Sequence, residues 1–262
     1  MPSESSKMKV SGKTGGYRKM KRRDLIEIFL RSLFVQSSWN FRRMQNVGFA
    51  YSLIPLARRL GDNKERISGV LTRHLQSFSS HPYLTGAIIG SVAKLEEFSE
   101  GDNCPEALRL KETLMAPYAA MGDPFFWGGL KPLSSVAGVI LALEGLLLAP
   151  LFFLLMYNSV HLWVRVRGFI EGYMDGRGGI GFLSTIDLPG KTRMLKWVTT
   201  FFLALLCAGF VNFFFPLADF PWGVAVGGTF ALILLCFWLL GRGISSLAVL
   251  YGAVALLFMV TV

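Results

Sequence analysis

Asp123 is the residue whose setting invites chemistry most directly. It lies in the apolar stretch 114–132, LMAPYAAMGDPFFWGGLKP, after Gly122 and before Pro124, Phe125, Phe126 and Trp127. A carboxylate at membrane depth is costly unless it serves a site. Pro117, Pro124 and Pro132, with Gly122, Gly128 and Gly129, interrupt a regular helix. Interrupted backbone is tolerated in hydrocarbon only where protein buries it or where it lines a wet cavity. The expectation is a broken, re-entrant segment lining a polar pocket; the plainer alternative is a surface loop between two helices.

A second set lies in 34–55, FVQSSWNFRRMQNVGFAYSLIP. Gln36, Asn40 and Arg43 are spaced so that a helix would put them on one face. Amides satisfy sugar hydroxyls as donor and as acceptor, and an aromatic ring such as Trp39 covers the C–H face of a sugar. Interhelical hydrogen bonding within a membrane bundle accounts for the same residues equally well. Gln36, Trp39, Asn40 and Asp123 are therefore candidate substrate-binding residues, with Glu97 and Trp127 as weaker candidates. His81 with Glu96 or Glu97 admits an acid–base reading, ranked below ordinary helix-end partners in water. No metal or cofactor is expected. Cys104, Cys207 and Cys236 have no metal spacing, and DGRGGIG at 175–181 lacks the Lys-Ser/Thr of a phosphate loop.

The elements that must hold these residues are helical and apolar. The chain has 262 residues, 52% of them hydrophobic, with 22 Phe, and a mean hydropathy of +0.47. That places it among integral membrane proteins. The net charge of +10 is concentrated at the start. Such a head binds nucleic acid or anionic lipid in general, and on a membrane protein it marks the cytoplasmic side. No uninterrupted apolar core follows it, so a signal peptide is not expected.

Along the chain, 1–22 reads as a disordered basic segment and 23–75 as amphipathic, interfacial helices, with Asp24 as a cap. Residues 76–160 read as a core with re-entrant segments, because the apolar run 84–92 is too short to cross a bilayer. Within it, 133–160 either spans once or bends at Gly145 or Pro150, and Glu144 faces the pocket or a partner. Residues 161–196 read as a polar connector. The runs 197–215, 222–240 and 244–262 are each long enough to span. The expected fold is an all-α integral membrane protein: transmembrane helices, re-entrant broken hairpins and N-terminal amphipathic helices.

Three stretches in order, LFVQSSWNFRRMQNVGFAYSLIP at 33–55, RHLQSFSSHPYLTGAIIGSVAKLEE at 73–97 and LMAPYAAMGDPFFWGGLKP at 114–132, resemble the IID component of the mannose/fructose/sorbose family of the bacterial phosphoenolpyruvate:sugar phosphotransferase system. The likeness runs on through LLLAPLFFLLMYNSVHL at 146–162 and covers about 23–260. The resemblance implies a multi-pass subunit of the bacterial inner membrane with a cytoplasmic N-terminus. It implies a IIC membrane partner in a hetero-oligomer, hexose uptake, and phosphorylation by IIA and IIB proteins. It implies no phosphohistidine domain in this chain and hence no enzyme activity of its own, and no nucleic-acid partner. The alternative is a membrane scaffold or regulatory subunit that only stabilises a IIC-like partner. A third hypothesis, an independent membrane enzyme using His81, has only the residue types in its favour.

Overall fold

The structure is a computed structural model that describes residues 19–59, 64–99, 104–176, 181 and 187–214, with scattered residues between 227 and 255. Among the described residues the regular structure is helical; two isolated bridges, Asn40 with Met44 and Met44 with Phe78, are the extended pairings. The chain divides into two compact units, 1–203 and 204–262.

In the first unit, α1 (Arg22–Ser32) starts where Asp24 accepts a hydrogen bond from the Lys21 backbone N–H at 2.9 Å. That satisfies an orphan donor of the first turn. The same carboxylate takes the Arg59 Nε at 2.6 Å, tying α1 to α3 (Ile54–Arg59). The helix buries Ile28 and leaves Ile26 and Leu30 exposed, the division expected of an interfacial helix. Residues 33–45 are turns, so Gln36, Asn40 and Arg43 do not share a helical face. Asn40 spends its side chain on the local backbone instead, which is why the helix starts only at α2 (Asn46–Ser52). After α4 (Lys64–His74) an irregular segment runs past His81 to α5 (Thr85–Phe98).

The interior is built around α5. Ala87, Ile88, Ile89, Val92 and Ala93 are buried in it, each larger apolar side chain contributing about 1.5–3 kcal/mol. It packs most extensively against α8 (Ala149–Asp175). The two backbones touch because the crossing uses glycine. A Cβ on Gly90 would fall on the Phe169 carbonyl oxygen, and one on Gly172 on the Ala87 carbonyl oxygen. Small residues spaced by four, Gly86 with Gly90 and Gly168 with Gly172, give the close approach that apolar surroundings alone do not drive.

Stretch 114–132 corrects the expectation of a broken hairpin. The backbone is helical without interruption over 39 residues, Pro105–Leu143, ~58 Å at 1.5 Å per residue. It passes from α6 (Pro105–Gly122) through a π-helical segment, Asp123–Leu130, to α7 (Lys131–Leu143). A proline lacks the N–H for the usual bond and clashes with the carbonyl four residues back. Widening the turn by one residue accommodates Pro124 without breaking the rod, and such π stretches are frequent at functional sites. By length and composition this is the one described helix that passes for a membrane crossing.

The apolar run after 132 bends at Gly145, whose φ of +84° suits glycine, and restarts with Pro150 in the first turn of α8. Glu144 sits exposed at that turn. The polar connector expected over 161–196 is also corrected. Helix α8 continues to Asp175, and α9 (Leu188–Phe214) begins before the connector was to end. The charges there pair along a helix, as Arg167 does with Glu171, instead of marking a loop.

In the second unit the described residues are helical or in turns. Arg242 and Gly243 form a turn, with the Arg242 guanidinium 4.7 Å from the Trp238 ring centre. The expected spans 222–240 and 244–262 lie largely outside the described residues, as does the basic segment 1–18.

Candidate functional site

Two groups of polar side chains enter the apolar interior of the first unit, and they differ in how their bonds are satisfied. The first joins α4, α5 and α6. Arg73 donates to both oxygens of Glu96, at 2.8 and 2.5 Å, and His74 Nε2 lies 2.8 Å from the same carboxylate. Glu96 is 2% exposed and His74 fully buried. Burial holds His74 below its ordinary pKa despite the opposing pull of Glu96; it is neutral and donates. Lys111, fully buried, donates to the carbonyls of His74 and Gln76 at 3.0 and 3.3 Å. Its ammonium also lies over the rings of Phe49 and Phe78. Lys111 therefore closes the carbonyl end of α4.

The second group forms where the irregular segment before α5 meets the π-helical segment and α8. His81 is 1% exposed and stacks on Phe126 at 4.9 Å, with Trp127 and Tyr83 also against it. This close seat requires Gly122, since a Cβ there would fall on the imidazole. The Tyr83 backbone N–H donates to His81 Nδ1 at 3.3 Å, which leaves the proton on Nε2. That Nε2 has no hydrogen-bond partner, and Asp123 Oδ1 lies 3.9 Å away. With Nδ1 occupied as an acceptor, the imidazole presents its Nε2–H as a donor.

Tyr83 carries the cluster onward to α8. Its ring stacks on His161 at 4.4 Å, accepts the Arg165 guanidinium at 4.8 Å, and its hydroxyl accepts a hydrogen bond from Tyr157 at 3.1 Å. Two further buried nitrogens here, His161 Nδ1 and Arg165 Nε, are unpartnered. His81 and Asp123 thus present a donor and an acceptor, too far apart for a direct bond and spaced for a group that both accepts and donates. Trp127, 44% exposed, supplies an open aromatic face beside them.

The six residues expected to share one pocket are not gathered by this chain. Asp123 and Trp127 meet at the His81 corner. Asn40 is bonded to Asn46 Oδ1 at 2.9 Å and to the Met44 carbonyl, and Gln36 and Trp39 are exposed. Glu97 is buried and occupied, accepting from the Met20 backbone N–H and from the Tyr173 hydroxyl. Among the described residues no hydrogen bond, ion pair or ring contact joins Asp123 to Gln36 or Asn40. The reason is local: with 33–45 in turns, Gln36 and Asn40 are directed by their own loop. The acid–base pairing of His81 with Glu96 or Glu97 is likewise not formed, since those carboxylates are engaged elsewhere. Reading 161–196 as a connector hid His161 and Arg165 and their continuity with Tyr157. Their i, i+4, i+8 spacing was the available signal that they share a helix face.

A family profile, the mannose/fructose/sorbose family IID component of the PTS system, matches residues 19–224. The PTS system mannose-specific EIID component of Escherichia coli K12 is 38% identical over 163 residues, 61% of this chain and 58% of that protein. The matched stretch thus spans less than two thirds of the mannose-specific relative. The sorbose-specific EIID component of Klebsiella pneumoniae is 31% identical and is covered over 88% of each chain. Among solved structures, a chain of the cryo-EM complex of the mannose transporter ManYZ with microcin E492 matches at a TM-score of 0.57 and 28% identity, over 92% of this chain and 96% of that one. Another, described as the structure of a membrane protein, matches at a TM-score of 0.71 and 27% identity, over 92% and 97%. The all-α fold is theirs as well. With the profile covering most of the length, this chain belongs to the IID components of the mannose/fructose/sorbose family of the phosphotransferase system.

Proposed function

We propose that the chain is a membrane subunit of a sugar transporter of this family. It forms the uptake pathway with a IIC subunit, while IIA and IIB proteins phosphorylate the incoming hexose. The observation that carries the reading is the His81–Asp123 corner beside Trp127. A sugar hydroxyl accepts from His81 Nε2 and donates to Asp123, and the indole covers a C–H face of the ring. The bond to a carboxylate is charge-assisted and the stronger of the two.

In the same reading the chain sits in the bacterial inner membrane and crosses it several times, with its basic N-terminus in the cytoplasm and spans over 197–215, 222–240 and 244–262. Helix α5, 14 residues long, is too short to cross a bilayer and serves as the half-spanning, re-entrant element. The amphipathic segment 23–75 lies along the interface, and the membrane core begins at 76. A scaffold role without transport is the second reading. It is favoured by Asn40 and Glu97, two polar candidates that are bonded to protein.

The test is uptake of labelled hexoses in transport-deficient cells expressing this chain with its IIC partner and the phosphorylating proteins. For Asp123→Asn, uptake falls about tenfold, on the order of 1.4 kcal/mol, while the two membrane chains still co-purify. Unchanged uptake would remove Asp123 from the pathway, and loss of co-purification would favour the scaffold.

A further inference from the structure

Arg165 stands apart from the other cations that enter the interior of the first unit. Arg59 and Arg73 each hold a carboxylate, and Lys111 holds two carbonyls. Arg165 has its guanidinium over Tyr83, its Nε is buried without a partner, and no described carboxylate pairs with it. Asp123 faces His81 instead. A partly buried cation without a counter-ion is costly, and breaking a buried pair costs more than forming it returns.

The position of Arg165 on α8 indicates where the counter-ion comes from. Leu162 and Val166, one turn apart, are 46% and 42% exposed, and Trp163 beside them is 58% exposed. On a helix Arg165 borders that strip. Whatever covers the strip brings its own side chains alongside the guanidinium. Lipid tails offer no acid, and a neutral hexose in the His81 corner needs no full positive charge. A companion helix with one carboxylate fits both the apolar strip and the charge.

We propose that Arg165 is the anchoring cation of a docking surface for a companion membrane chain, which covers Leu162, Trp163 and Val166 and supplies an aspartate or glutamate to the guanidinium. This rests on the reading of the chain as one subunit of a two-chain membrane unit, with Arg165 as a residue of the interface and not of the sugar corner. A bidentate guanidinium–carboxylate pair also fixes the angle and register of the companion helix, which apolar packing alone leaves loose.

The experiment uses the complex expressed in full with its IIC chain. Association and uptake of the unaltered pair are read first; if these fail, the subunit reading fails and not the interface. Arg165→Glu is expected to lower co-purification of the IIC chain at least tenfold, with this chain still present in the membrane, and Arg165→Lys, which keeps the charge but loses the fork, to fall between Arg165→Glu and the unaltered chain. If Arg165→Glu is itself absent from the membrane, Arg165→Met, which keeps an apolar stem against Tyr83, is read in its place with the same expectation. Selection for restored uptake in the Glu variant should return acid-to-lysine changes in the IIC chain. Normal co-purification of the Glu or Met variant overturns the proposal. So does a raised KM for sugar with the complex intact, which would assign the guanidinium to substrate.

Discussion

The Arg73–His74–Glu96–Lys111 group and the group that runs from the His81–Asp123 corner to Arg165 are both polar clusters inside an apolar unit, yet they treat their charges differently. In the first, each charge has its partner: Arg73 takes Glu96 through two bonds and Lys111 takes two carbonyls, and the buried nitrogen left open is His74 Nδ1, the acceptor side of the ring. In the second, His81 Nε2, His161 Nδ1 and Arg165 Nε are left open, and Asp123 stops 3.9 Å short of the imidazole. A buried polar group without a partner costs about 1–3 kcal/mol. A network whose charges are all paired therefore holds helices together, and one that leaves a guanidinium and two imidazole nitrogens open is tolerated where something else completes it.

The comparison breaks most visibly at Glu96. Glu96→Ala leaves the Arg73 guanidinium without its carboxylate and is expected to cost about 3–5 kcal/mol. The chain should vanish from the membrane fraction on immunoblots, and normal abundance would mean that the network is ornamental. Lys111→Met keeps the stem but frees two carbonyls, an expected loss of about 1–3 kcal/mol, read as a lower Tm of the purified complex. His81→Phe should behave in the opposite way. The ring keeps its stack on Phe126, stability stays within about 1 kcal/mol of the parent, and hexose uptake falls about tenfold. A drop in stability matching that of Glu96→Ala would place both clusters in one class.

Acid gives a smaller, graded effect. Burial holds the His74 pKa below its ordinary value near 6.5. The unfolded state therefore binds more protons once the pH falls below about 6.5, so stability is complete above that pH and declines with acid. Thermal unfolding from pH 7 to 4 should show the decline, with a shallower slope in His74→Gln; an unchanged slope would mean that the imidazole does not titrate in this way. Least of all is expected from Gln36→Ala. Gln36 is exposed, and stability should move by no more than about 0.5 kcal/mol with uptake unaltered. A marked loss of uptake would return Gln36 to the pathway through a surface shared with the partner chain.

Much of this organisation was legible beforehand. Hydropathy announced a helical membrane protein, and the ordered stretches at 33–55, 73–97 and 114–132 identified its family. Asp123 and Trp127 stood out because an acid and an indole in so apolar a stretch have few ordinary uses. The turn at Gly145 was one of two bends that glycine and proline allowed. Other features were hidden for physical reasons. Pro124 reads as a helix breaker only while the turn is held at the α width, and the π-helical turn removes that premise. Gln36 and Asn40 suggested a common face only on the assumption of a helix, and Asn40 itself undoes that helix by bonding its own loop.

Composition and the order of motifs, then, determined by themselves that this chain is helical, lives in lipid and belongs to the IID family, because those properties follow from local sums of apolar area and charge. Which polar residues meet was decided only by tertiary structure. His81 reaches Asp123 because Gly122 lets an irregular segment lie against the π-helical turn, and Tyr83 meets Arg165 because glycines let α5 and α8 touch. A side chain's partner depends on how closely two backbones approach, and that distance is a property of the packed pair, not of either strand of sequence alone.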